Sequence, residues 1–247
     1  MQWPWRMCCT MGEQQLAKFV KRQSQRAFRL GRMNQSDVVV IDYGMGNLLS
    51  VRRGLQHCGA NVQVSSNPDV ILHAPRVVLP GVGAFDVAMF ELQRLHLVEV
   101  LQGVAARGTP LLGICLGMQL LLDESEEFGR STGLGLIHGR AVSLKVPSLE
   151  CMGLKVPHIG WSEIYPSESC SDWNGTFLQD VKSGEAMYFV HSFMARITNE
   201  VHCLSHCHYG DLIVPAVISR DNIHGCQFHP EKSGETGLKL LRRFFSL

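Results

Sequence analysis

A cysteine flanked on both sides by glycine, at the junction of a strand and a helix, constrains the fold of this 247-residue chain more than any other feature. The preceding run, residues 110–114, is short and apolar like a buried strand, and a helix is predicted to begin directly after Cys115. Gly113 and Gly117 stand two positions before and after the cysteine, where side chains would collide in so sharp a turn. Such a turn lies at the edge of a parallel sheet, so the segment predicts an α/β fold.

The first half of the chain alternates between strand and helix patterns. Val38–Ile41 is apolar and largely β-branched, which is typical of a strand buried on both faces. Asn47 is a predicted cap for a helix through Gln56, and apolar residues recur at helical spacing over residues 85–106. This alternation predicts a three-layer α/β domain around a central, mostly parallel sheet.

The second half of the chain changes character. Short β runs predominate over residues 136–228, and Asp221 and Asn222 separate two of them as a hairpin turn would. A last helix is predicted over residues 235–245, with Ser233 as its cap. Because hairpins pair strands antiparallel, the predicted sheet is mixed.

Charge divides the chain into two parts. Residues 1–36 carry seven Lys or Arg and one acid, Glu13, whereas residues 37–247 hold 16 basic and 21 acidic residues. We therefore expect a basic extension over 1–36, disordered or not native, and one domain over 37–247. The extension is a loose match to a transit peptide, and the position of Met33 favours an upstream start codon instead. A negatively charged domain is not typical of a nucleic-acid binder.

Cysteine usage and hydropathy indicate the compartment. The nine cysteines are odd in number and contain no CxxC pair, which favours free thiols in a reducing environment. No apolar run approaches the roughly 18 residues that span a bilayer. We expect a cytoplasmic protein without membrane contact.

A cluster of histidines and cysteines resembles a metal site at first sight. His202, His206 and His208 would share one face of a strand, while Cys203 and Cys207 would lie on the other. Four ligands cannot then converge from one side, so we predict neither a metal nor a cofactor.

Cys115 is the candidate nucleophile. The helix that follows directs its N–H groups at the sulfur, which favours the thiolate, and the N–H of Leu116 is placed where an oxyanion would form. The alternative is a buried cysteine acting as a small apolar side chain, the usual role of a free thiol.

The candidate base is His229, with Glu231 two residues further on. A thiol nucleophile needs a base, and the base needs a group that fixes its tautomer. Pro230 is predicted to keep the backbone extended, so that both side chains project to one side. The alternatives are an exposed turn at this position, or His191 as the base.

Six motifs, in order along the chain, resemble one family. They are IDYGMGNL (41–48), PGVGAF (80–85), GICLGMQ (113–119), PHIGW (157–161), YFVHSF (188–193) and QFHPEK (227–232). Together they resemble the class I, triad-type glutamine amidotransferases, and among these the glutaminase subunits of imidazole glycerol phosphate synthase, over about residues 37–247.

The resemblance implies a function and a set of site residues. Cys115, His229 and Glu231 would hydrolyse glutamine, and the ammonia would pass to a cyclase subunit that makes imidazole glycerol phosphate and an aminoimidazole carboxamide ribotide in histidine biosynthesis. Substrate contacts are implied for Gly81, Val82, Gly83, Leu116, Gln119, His191, Ser192 and Phe193.

One position departs from the family, and three other functions stay open. Ser162 stands where the family usually carries Asn, which affects a polar contact near the expected interface. The same fold could serve another synthase, act as a cysteine peptidase, or be a non-catalytic binding module. Motifs 157–161 and 188–193 argue against the first, and the intact Cys, His and Glu argue against the last.

Overall fold

The computed structural model describes residues 36–247, and the basic extension predicted over 1–36 lies, but for Ser36, outside the described residues. Strands in this part of the chain are β1 Val38–Ile41, β2 Val62–Ser65, β3 Val77–Gly81, β4 Leu111–Cys115, β5 Glu124–Ser125, β6 Ser131–Thr132, β7 Gly139–Ser143, β8 His158–Glu163, β9 Tyr165–Pro166, β10 Ala186–His191, β11 Phe193–Ile197, β12 Cys203–Tyr209, β13 Leu212–Arg220 and β14 Ile223–Cys226. Helices are α1 Leu48–His57, α2 Pro68–Leu72, α3 Phe85–Arg94, α4 Val98–Ala106, α5 Leu116–Leu120, α6 Pro147–Cys151 and α7 Gly234–Ser246.

The central sheet has eight strands in the order β2-β1-β3-β4-β14-β13-β12-β9. The first five strands run parallel and the last three join antiparallel. Two smaller sheets, β10-β8 and β11-β7-β5-β6, lie outside it. The predicted mixed, mostly parallel sheet is confirmed.

The side chains of β1 pack on both faces of the central sheet, which shows the three layers of the domain. All four of its residues are buried, because both faces of the sheet are covered. Val40 belongs to a core shared with Leu240 of α7, and Ile41 belongs to a second core shared with Leu92 of α3. Alternating residues of one strand therefore hold one helical layer on each face.

A hairpin places the C-terminal motif beside the cysteine. β13 pairs antiparallel with β14, and Asp221 adopts a φ of 53° in the predicted turn between them. β14 then runs parallel to β4, with Cys226 opposite Ile114. The residues that follow β14 are thus delivered to the edge of the sheet where β4 ends at Cys115.

Three local predictions were wrong. Residues 85–106 form two helices, α3 and α4, because His96 adopts a φ of 55° and Leu97 turns into the core. Asn47 precedes α1 without a side-chain cap. Ser233 occupies the N-cap position of α7 as predicted but makes no side-chain cap, since its hydroxyl donates to the carbonyl of His229 and accepts from the N–H of Tyr188.

Candidate active site

Cys115 lies at a strained turn between β4 and α5. Its backbone has φ 55° and ψ −110°, a combination that non-glycine residues rarely adopt and that is found where function requires it. A Cβ on Gly113 would lie 2.5 Å from the carbonyl oxygen of Gly117. A Cβ on Gly117 would lie 1.9 Å from the carbonyl oxygen of Leu79, so this glycine is required by the neighbouring strand β3 and not by Gly113.

His229 and Glu231 form a buried pair. His229 Nδ1 lies 2.9 Å from Glu231 Oε1, and the two side chains are 3% and 0% exposed. The pair closes across a 3₁₀ turn, Pro230–Lys232, and not along an extended chain as predicted. The physical reason is that Pro230 restricts His229 to extended backbone, whereas the φ of Pro230 itself also suits the first position of a helical turn.

The surroundings of His229 favour its charged form. Burial lowers the pKa of this imidazole, but the Cys115 sulfur and the Glu231 carboxylate outweigh burial and raise the pKa to about 9. His229 Nε2 is buried and has no hydrogen-bond partner within residues 36–247. That nitrogen is available to exchange a proton with a group in the cavity that His229 and Cys115 share.

His191, the rival base, has both ring nitrogens engaged. Nδ1 lies 2.9 Å from the carbonyl oxygen of Phe193, and Nε2 lies 3.1 Å from Nδ1 of His158. Burial lowers the pKa of His191 to about 3. A neutral ring without a free nitrogen cannot accept the proton of a thiol, so the geometry favours His229.

A cavity of about 300 Å³ opens at Cys115. Its lining includes seven of the eight residues for which substrate contacts were predicted: Val82, Gly83, Leu116, Gln119, His191, Ser192 and Phe193. Gly81 is not among them. A Cβ at Gly81 would lie 2.8 Å from both the Gly117 nitrogen and the Tyr43 hydroxyl, which places this residue behind the cavity wall.

The sequence analysis missed two polar residues of the site. Glu127 stands in none of the six motifs, but it lines the cavity and accepts the N–H of Phe85 at 2.8 Å. Gln227 is fully buried, and its Nε2 lies 3.8 Å from Cys115 Sγ. No local pattern distinguishes either residue, because only the pairing of distant strands brings them to the cysteine.

Ser162 makes a contact to the pocket network. Its Oγ lies 2.9 Å from Nε2 of His158, whose Nδ1 meets His191. His158 is 2% exposed, and its ring is stacked on Phe189 and on Tyr209. A serine therefore supplies a hydrogen bond to this ring where Asn was expected from the family.

Residues 36–247 contain no group of three or more His, Cys, Asp or Glu side chains arranged to hold a metal ion. Within the same range, every helix is too short or too polar to cross a bilayer.

Fold and sequence together define a class I glutamine amidotransferase, because residues 39–247 match the family described as "Glutamine amidotransferase class-I". Among solved structures, a glutamine amidotransferase superposes with a TM-score of 0.63 at 13% identity, covering 85% of this chain and 99% of the other. PurLQS from Thermotoga maritima superposes with a TM-score of 0.61 at 17% identity, covering 85% and 97%. At these identities the two structures show the shared fold.

Comparison with curated proteins identifies a more specific family within this class. "Imidazole glycerol phosphate synthase subunit HisH 1" of Legionella pneumophila (strain Lens) is 45% identical over 212 residues, 86% of this chain and 100% of the relative. The HisH subunit of Bacillus cereus (strain ATCC 10987 / NRS 248) is 45% identical over 208 residues, 84% of this chain and 93% of the relative. The chain belongs to the family of HisH subunits of imidazole glycerol phosphate synthase, which confirms the resemblance drawn from its motifs.

Proposed function

We propose that this protein hydrolyses glutamine to glutamate and ammonia, and supplies the ammonia to a cyclase partner in histidine biosynthesis. One observation carries the proposal. Cys115 and the unpartnered Nε2 of His229 share one cavity, and Glu231 holds the opposite nitrogen of the same imidazole.

The first half of the reaction forms a thioester. The Cys115 thiolate attacks the side-chain amide carbon of glutamine, and the carbonyl oxygen becomes an oxyanion. The proton on His229 Nε2 passes to the leaving nitrogen, so that the C–N bond breaks and ammonia departs. Glu231 keeps the imidazole oriented and stabilises its positive charge.

The second half regenerates the enzyme. His229, now neutral, removes a proton from water, and the resulting hydroxide attacks the thioester carbon. The C–S bond breaks to release glutamate, and His229 again carries the proton beside the thiolate. Glutamine and water are thereby converted to glutamate and ammonia.

The lining of the cavity suits an amino acid. Glu127 is the only carboxylate among its lining residues, and a carboxylate can pair with the α-ammonium group of glutamine. Gln119 lies close to the nucleophile in the same lining and can hydrogen-bond the substrate. We assign the remaining predicted contacts to the walls formed by Val82, Gly83 and the 191–193 turn.

A partner follows from the product and from the relatives. Ammonia released into neutral water is largely protonated and loses its nucleophilic lone pair, so direct transfer to a synthase is the effective design. The HisH relatives are named as subunits of imidazole glycerol phosphate synthase. We therefore propose a cytoplasmic heterodimer with the cyclase subunit, which makes imidazole glycerol phosphate and the aminoimidazole carboxamide ribotide.

The domain division belongs to the same proposal. Residues 37–247 would form the glutaminase domain, and the basic segment 1–36 would take no part in the chemistry. Their composition, with seven basic residues and one acid, supports this division.

The experiment is reconstitution with the cyclase, comparing wild type with Cys115→Ala. The variant should lose glutamine-dependent product formation and keep the activity supported by added ammonium salts, because only ammonia release needs the thiolate. Glutamine-dependent synthesis at the wild-type rate would exclude Cys115 as the nucleophile. Peptide cleavage without glutaminase activity in the wild type would favour a peptidase instead.

A further inference from the structure

One backbone carbonyl fixes the direction of a buried hydrogen-bond network beside Cys115. The oxygen of Phe193 lies 2.9 Å from Gln119 Nε2 and 2.9 Å from His191 Nδ1. A carbonyl can only accept, so both side chains must donate to it. The orientation of the Gln119 amide is therefore set by the backbone.

Gln119 in turn fixes the orientation of the Gln227 amide. The second N–H of Gln119 Nε2 points to Gln227, whose Oε1 lies 3.1 Å away. Gln119 is 5% exposed and Gln227 is 0% exposed, so water does not compete for these groups. Turning the Gln227 amide over would set two N–H groups against each other in a buried site, which costs the full desolvation of the unpaired groups.

The orientation that remains directs the Gln227 amide nitrogen at the nucleophile. Its Nε2 lies 3.8 Å from Cys115 Sγ. The sulfur has a second neighbour, the carbonyl oxygen of Val190 at 3.7 Å. That carbonyl accepts from a thiol S–H but repels a thiolate, whereas the Gln227 amide favours the thiolate.

We propose that Gln227 is a catalytic residue whose amide N–H donates to the Cys115 sulfur and stabilises the thiolate. The inference rests on the proposed function in taking Cys115 as the nucleophile. Gln227 acts together with His229, which the same segment after β14 carries to the cavity. Fixing the amide in advance means that no group has to turn when charge develops on the sulfur.

The other titratable groups around the sulfur do not supply this stabilisation. Tyr43 and Cys226 interact with Cys115, and burial raises the pKa of both, so they stay neutral at pH 7. His229 carries the positive charge of the site. Gln227 is thus the neutral donor that complements His229.

The test measures thiolate reactivity directly. Gln227→Met keeps the size of the side chain and removes the donor. The full-length protein is treated with iodoacetamide between pH 6 and pH 10, and mass spectrometry follows modification of the peptide that carries Cys115. We expect alkylation about tenfold slower than wild type at pH 7, since hydrogen bonds to charged groups are among the stronger ones.

The alkylation rate at high pH, where it no longer changes with pH, distinguishes loss of thiolate stabilisation from loss of access to the sulfur. Once the thiol is fully ionised, Gln227→Met should react at least as fast as wild type, because a thiolate without the hydrogen bond is the stronger nucleophile. The half-maximal rate should be reached at a higher pH in the variant. A distorted cavity that shields the sulfur would instead lower the plateau. Gln227→Glu keeps the acceptor for Gln119 Nε2 and presents a second oxygen to the sulfur, so it should also be slow at pH 7. Gln179 is exposed, so Gln179→Glu adds the same charge away from the site and serves as the control.

The outcomes are distinct. Wild-type alkylation profiles in both Gln227 variants, with melting temperatures near wild type, would overturn the proposal. Should Gln227→Met fail to fold, the Gln227→Glu profile decides alone. If the wild type does not hydrolyse glutamine but the variants shift the profile, the proposed function fails and the role of Gln227 stands.

Discussion

Nδ1 of His158 lies 3.1 Å from Nε2 of His191, and the hydrogen bond between these buried rings has a single possible direction. His191 Nδ1 must donate to Phe193, so its Nε2 accepts from His158 Nδ1. Nε2 of His158 is then an acceptor, and the Ser162 hydroxyl donates to it at 2.9 Å. Burial lowers the pKa values of His158 and His191 to about 4 and about 3, so both rings stay neutral. The Phe193 carbonyl therefore fixes the tautomers of both rings, and the Ser162 hydroxyl satisfies the acceptor nitrogen at the far end of this chain.

Ser162→Ala tests this arm of the network. Without the hydroxyl, the buried Nε2 of His158 loses its donor, which weakens the network that holds the 191–193 turn. Loss of one such hydrogen bond is worth a factor of about 2–10, which we expect in KM for glutamine with little change in kcat. Steady-state glutaminase assays measure KM and kcat separately. Ser162→Thr keeps the hydroxyl and should restore KM; equal KM values for Ala, Thr and wild type would contradict the assignment.

The raised pKa of His229 predicts a pH dependence of stability. The folded-state pKa is about 9 against an ordinary value of 6.5. The stabilisation is therefore fully present below about pH 6.5 and is lost as the pH rises through 9. By linkage it amounts to roughly 3 kcal/mol at most.

Urea unfolding midpoints at pH 6, 7.5, 9 and 10 measure this loss. His229→Gln removes the titrating group and should flatten the profile across that range. Cys115→Ser should flatten it in part, because the sulfur is one of the groups that raise the pKa. A wild-type slope in His229→Gln would show that another group is responsible.

Gly117→Ala should be severely destabilising. The new Cβ would lie 1.9 Å from the backbone oxygen of Leu79. Neither β3 nor α5 can move away without disrupting the turn at Cys115. We expect a loss of more than about 3 kcal/mol in unfolding free energy, or no soluble protein. Gly103→Ala in α4 is the matched control, because its Cβ would meet only the end of the partly buried Leu72 side chain, at 3.1 Å. Similar melting temperatures for both variants would contradict the steric argument.

Most helices and strands could be predicted from local sequence, but the residues that they bring into contact could not. The apolar run of β4, the paired glycines and the His-Pro-Glu motif are all readable within a few residues, and these led to Cys115, His229 and Glu231 as candidates. Glu127 and Gln227 could not be found in this way, because their positions depend on β5 and on the register of β14 against β4. The break at His96 was equally hidden, since the helical spacing of apolar residues continues across it.

The segment over residues 80–83, which brings Val82 and Gly83 to the cavity, is held firmly at its first two residues and loosely at its last two. The Tyr43 hydroxyl donates to the carbonyl of Pro80 at 2.8 Å, and Gly81 has no room for a Cβ. Gly83 adopts a φ of +103° and has only the end of Met45 near its absent Cβ. The peptide between Val82 and Gly83 is therefore the one that can turn at little steric cost.

We predict that the N–H of this peptide is a second oxyanion donor beside that of Leu116, and that partner binding controls its direction and thereby the rate. An oxyanion donor that points away costs roughly 10²–10³ in rate, so the subunit alone should be a poor glutaminase that the cyclase and its nucleotide ligand activate by shifting the loop population. Glutamate release is measured for the subunit alone, with the cyclase, and with cyclase plus nucleotide. Gly83→Ala disfavours the positive φ, and the ratio of stimulated to basal rate should fall towards one. Equal wild-type rates in all three conditions would rule out gating and leave Cys115 as the nucleophile of a free-standing glutaminase.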